Sequence, residues 1–102
     1  MTSRIRRRVI VSGRVQGVAF RACARSAARN IGVSGWVRNR PDGTVEAVIE
    51  GSAENVGSML AWLKKGASHS RVDDVLVFDE KPSGEFTDFE ITFDGWEFFH
   101  GR

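Results

Sequence analysis

Residues Arg4 to Gly32 read RIRRRVIVSGRVQGVAFRACARSAARNIG, and the fold turns on where this stretch changes period. Its first part, RIRRRVIVS, is rich in β-branched residues and stops at Gly13, so it reads as a strand. Beyond Gly17 the apolar positions Phe20, Cys23, Ala24, Ala27, Ala28 and Ile31 recur at i, i+3, i+4 and i+7. That spacing predicts a helix from about Val18 to Asn30 with one buried face. Arg25 and Arg29 fall on its other side, and Asn30 and Gly32 supply stop signals. The chain therefore opens strand, glycine-bracketed loop, helix.

Working outward, VSGWVRN and TVEAVIEG are β-rich runs separated by Arg40-Pro41-Asp42-Gly43. Pro suits the second position of a type I turn and Gly the fourth, so the pair reads as a hairpin. Ser52 is placed to cap a second helix running to about Lys65, with Val56, Met59, Leu60 and Leu63 on its apolar face. Glu54 at its start and Lys64, Lys65 and Gly66 at its end suit the helix dipole and a glycine stop. VDDVLVFDE reads as a fourth strand and DFEITF as a fifth, in which Phe89, Ile91 and Phe93 alternate with polar residues. The order βαββαβ, with a short extra strand pairing near the C-terminus, predicts an α+β ferredoxin-like split βαβ sandwich. Its antiparallel sheet would carry two helices on one face. Length predicts one domain over 1–102, with a core from about 5 to 93 and an aromatic tail, DGWEFFHGR, over 94–102. The tail reads either as packing against the sheet or as an interaction patch.

Charge is unevenly placed. Residues 1–41 hold ten arginines and no Lys, Asp or Glu, whereas residues 42–102 hold five basic residues and thirteen acids. Either a polyanion partner or cross-strand ion pairs between the halves would account for this. The single cysteine, Cys23, rules out an intramolecular disulfide and suits a reducing compartment. The basic N-terminus has an apolar run of three residues, VIV, against the ~7 of a secretory signal or the ~20 of a membrane span. A cytoplasmic protein with no membrane partner is expected.

The loop GRVQGVAFR, Gly13 to Arg21, offers no Ser, Thr, Asp or Asn to cap the helix that follows. Helix-initial amides lack intrahelical acceptors, and the dipole there is positive. Val15, Gln16, Gly17 and Val18 would thus present free N–H groups, and Arg21 adds a cation to the same end. A phosphate would satisfy amides and guanidinium together. Spacing alone leaves that reading open beside an ordinary solvated turn, because neither a P-loop nor a dinucleotide fingerprint is present. Asn39, closing the second strand, is either a turn former or a group that orients a water molecule.

VSGRVQGVAFR followed by GWVRNRPDGTVEAVIEG resembles the signature pair of the acylphosphatase family. The likeness runs from about Ile5 to Phe93 and includes GASHSRVDDV. It implies a ferredoxin-like fold and hydrolysis of acyl phosphates to a carboxylate and inorganic phosphate, without metal or cofactor. It also implies that Arg21 and Asn39 are catalytic, and that the backbone of Arg14, Val15, Gln16, Gly17 and Val18 holds the phosphate. Asn39 would position the attacking water. Three features depart from the common pattern: Arg40 stands where many relatives have Thr, Ala67 stands where Pro is frequent, and the tail runs on past the usual end.

Other classes fare worse. His69 and His100 lack a partner motif for a metal, and Cys23 on the apolar helix face reads as core. The rival is a non-catalytic phosphate- or RNA-binding module of the same topology. RNA-recognition domains stack bases on aromatics of their inner strands, and neither RIRRRVIVS nor TVEAVIEG has one. A regulatory domain related to acylphosphatase, as at the front of a larger carbamoyl-phosphate-using maturation protein, is a third reading. The reading carried forward is a monomer acting alone on a small acyl phosphate, with no nucleic-acid partner.

Overall fold

The computed structural model describes residues 3–92, so the expectations for Phe93 and the aromatic tail lie outside the described residues. Strand β1 spans Arg4–Arg14, helix α1 Phe20–Ile31, β2 Ser34–Asn39, β3 Val45–Ser52, α2 Ala53–Lys65, β4 Arg71–Glu80 and β5 Phe89–Ile91. The sheet order is β4-β1-β3-β2-β5. Each helix connects strands that have a third strand between them, the split βαβ arrangement expected from the sequence. The four long strands pair antiparallel as expected, while the short β5 adds to β2 in parallel. A parallel neighbour is what the connection demands, since the chain crosses from the β4 edge to the opposite edge before pairing.

Strand alternation assigns the two faces. Val9 and Val11 of β1, Val37 of β2, Val45, Ala47 and Ile49 of β3 and Phe89 of β5 point towards the helices and are buried. They meet Phe20, Ala24 and Ala28 from α1 and Val56, Met59 and Leu63 from α2. The Ser52 hydroxyl accepts from the Asn55 amide at 3.1 Å, so α2 begins with the side-chain cap expected of it. Cys23 departs from expectation and is exposed. The buried stripe of α1 runs Phe20, Ala24, Ala28, and a residue one step before Ala24 in that stripe is turned away from the sheet.

The helix-free face explains the charge segregation. Arg8 pairs with Glu46 at 3.2 Å and Glu80 at 3.4 Å, Arg38 with Glu46 at 2.8 Å, and Arg6 with Glu80 at 2.9 Å. The arginine-rich first strand thus lies between two strands that bring the acids, and the cross-strand reading of the sequence holds. Arg6 and Arg8 also stack over Phe86 and Phe78, at 5.0 and 4.5 Å from the ring centroids.

Candidate active site

The loop between β1 and α1 is shaped by two backbone requirements. Gly13 sits at a bulge where the register of β1 against β4 shifts, with φ 123°. A β-carbon there would collide with the carbonyl of Arg71, so only glycine allows the strands to approach. Gly17 (φ 73°) and Ala19 (φ 60°) then adopt left-handed conformations, with Val18 between them outside that region. Alternation of this kind turns successive N–H groups towards one side, the geometry of an anion-holding nest.

Ala19 is the sole non-glycine residue with positive φ among the described residues. It delays the helix to Phe20, two residues later than the apolar period suggested. Among the described residues no side chain caps this helix, and its first turn contains no acid. None of the amides from Val15 to Ala19 donates to an acceptor among the described residues.

Val15, Gly17, Ala19, Arg21, Asn39 and Ile91 line a cavity of about 170 Å³ at this loop. The two residues singled out as catalytic, Arg21 from the first turn of α1 and Asn39 from the end of β2, therefore share one small space. The Arg21 side chain makes no ion pair or hydrogen bond with the described residues. The Asn39 Oδ1 atom is buried and has no hydrogen-bond partner among them. A buried acceptor left so costs about 1–3 kcal/mol unless a donor reaches it. Of the five expected cradle residues, Val15 and Gly17 line the cavity. Val18 packs partly against the core, and Arg14 lies exposed at the end of β1 opposite Arg71.

Gln16 turns its side chain elsewhere. Its Nε2 donates to the carbonyl of Arg40 at 2.8 Å and to that of Thr44 at 2.9 Å. Sequence reasoning gave Gln16 a role through its backbone alone; nothing in the local pattern marks a contact with a turn so far along the chain. Ile91 was also missed as a site residue, although the alternation of Phe89 and Ile91 already put it on the helix side. A wider groove of about 1140 Å³ lies between α1, α2 and the following loop, lined by Cys23, Trp62 and Lys65 among others. None of the candidate residues lines it. His69 is exposed in that loop, and among the described residues no group of three His, Cys, Asp or Glu gathers.

Fold and cavity together define a class: ferredoxin-like α+β sandwiches whose first strand and helix are joined by a loop of uncapped amides with an arginine behind it. The acylphosphatase family model matches residues 7–91. Acylphosphatases of Syntrophobacter fumaroxidans and Roseiflexus sp. are each 55% identical over 91 residues, covering 89% of this chain and 94% and 98% of theirs. The crystal structure of acylphosphatase from Bacillus subtilis superposes with a TM-score of 0.83 at 36% identity, covering 86% of this chain and 98% of that one. The chain belongs to the acylphosphatase family.

Proposed function

We propose that this protein hydrolyses the carboxyl-phosphate bond of acyl phosphates, with Arg21 and Asn39 as its catalytic side chains. The observation that carries the assignment of roles is the buried Asn39 Oδ1, without a partner among the described residues, in the same small cavity as Arg21 and the uncapped loop. The loop amides of residues 14–18 and the Arg21 fork hold the phosphoryl oxygens as charge moves over them. Asn39 Oδ1 accepts one hydrogen of a water molecule and aims its oxygen at phosphorus. The water oxygen bonds to phosphorus as the acyl P–O bond breaks, and the electron pair leaves on the carboxylate. That leaving group has a conjugate-acid pKa near ~4, so no general acid is needed to expel it. The water's proton passes to a phosphoryl oxygen, because an amide is no base. Positioning and charge stabilisation supply the catalysis.

The cavity suits a free small molecule, and the helix-free face is engaged in its own ion pairs rather than offering aromatics on β1 and β3 for base stacking. On this reading the enzyme is a cytoplasmic monomer that needs no cofactor. The test is turnover of benzoyl phosphate with EDTA present, comparing wild type, Arg21→Ala and Asn39→Ala. Turnover lost by at least ~100-fold in either variant supports the assignment. Full activity in both variants overturns it, and salt-sensitive binding to single-stranded RNA without turnover favours the non-catalytic module instead.

A further inference from the structure

We infer that Gln16 is a positioning residue, clipping the phosphate loop to the hairpin that carries Asn39. The inference rests on the reaction proposed above and adds to it the device that fixes one half of the site against the other. The two halves come from separate parts of the chain: the loop precedes α1, and Asn39 ends β2. A catalytic geometry shared between them needs a rigid link, since a misplacement of about 1 Å can cost ~100-fold in rate.

The hairpin turn is closed by Arg40 N–H donating to the Thr44 carbonyl at 2.8 Å and Gly43 N–H donating to the Arg40 carbonyl at 3.1 Å. The Gln16 Nε2 group donates to those same two carbonyls, at 2.8 and 2.9 Å, using both of its hydrogens. Each carbonyl thereby fills its second lone pair, and the amide spans the neck of the turn. Arg40 is bonded directly to Asn39, so the clip acts one residue from the group that would aim the water. Both acceptors are main-chain atoms, which leaves the side chain at position 40 free to vary. Arg40 occupies that freedom with a 3.6 Å pairing to Asp42.

A side chain that merely filled space would be replaceable by one of equal reach. Gln16→Met keeps the reach and removes both donors. Its kcat for benzoyl phosphate is expected to fall about 10- to 100-fold, while inorganic phosphate, held by the loop itself, inhibits within ~3-fold of its wild-type constant. Gln16→Glu carries a second test inside one variant. Its carboxylate faces two carbonyl oxygens and repels both, whereas the protonated acid donates to one of them. Its kcat therefore rises as pH falls through that titration, a limb the wild type lacks.

Wild-type kcat in Gln16→Met, or a Gln16→Glu profile superposable on wild type, overturns the clip. A loss confined to phosphate binding with kcat intact overturns it as well. An inactive wild type overturns the reaction itself and the clip's role with it, so the two failures are told apart by the first measurement.

Discussion

The amide of Gly84 donates to the carboxylate of Glu50 at 2.7 Å, tying the connection between β4 and β5 to the middle of the sheet. Ser83 donates to the other oxygen at 3.3 Å, and Arg4 and Arg6 approach at 3.4 and 3.8 Å. Glu50 is fully buried beneath them. Burial alone would raise its pKa from the ordinary 4.5, but the Gly84 and Ser83 amides and the Arg4 guanidinium outweigh that and hold it lower. A depressed acid contributes stability above its unfolded pKa and loses it as pH falls through the folded value. Glu50→Gln is therefore expected to lower stability by about 1–3 kcal/mol at pH 7. The gap to wild type should close below about pH 4.5. Urea midpoints at pH 7 and pH 3 check this, and a gap that widens in acid contradicts it.

Gly13→Ala is expected to destabilise by about 1–3 kcal/mol from backbone conformation alone, with the collision against Arg71 added to it. Thermal unfolding measures the cost. A melting temperature equal to wild type would show that the bulge relaxes without penalty.

Ala19 separates backbone strain from side-chain effects. Ala19→Gly removes the penalty of a left-handed alanine and should leave the fold at least as stable. Ala19→Val places a β-branched residue at φ 60° and should cost about 1–3 kcal/mol. Equal stabilities for the two variants would refute the assigned backbone conformation.

Inorganic phosphate should stabilise the wild type by mass action, about 2.7 kcal/mol at one hundred times its dissociation constant. Arg21→Ala should abolish most of that shift, and Cys23→Ser, outside the cavity, should leave both the shift and the activity unchanged. Melting curves across a phosphate series decide it. A phosphate-independent wild type is the damaging result.

The strand and helix periods, the hairpin turn, the Ser52 cap and the pairing of basic with acidic strands were all legible in the sequence, because each follows from local spacing or from composition. So was the loop's lack of a cap, which is a local property of Gly13 to Arg21. The parallel addition of β5 was not legible: a strand of three residues carries no mark of its neighbour's direction. The outward turn of Cys23 was lost because its spacing from Phe20 and Ala27 fits an apolar stripe as well as Ala24 does. The left-handed Ala19 escaped because alanine ordinarily signals helix. The reach of Gln16 to the carbonyls of Arg40 and Thr44 belongs to tertiary structure alone.

The way β1 is neutralised bears on how the sheet comes together. Among the described residues, the acids that pair with Arg4, Arg6, Arg7 and Arg8 are Glu46, Glu50, Asp79, Glu80 and Glu85, all later in the chain. A chain grown only as far as Asn39 holds a cationic β1 without these counter-charges and without β3 and β4 beside it. Contacts of long sequence separation must form before β1 is both flanked and neutralised, so closure of this sheet is expected to be a late, concerted step.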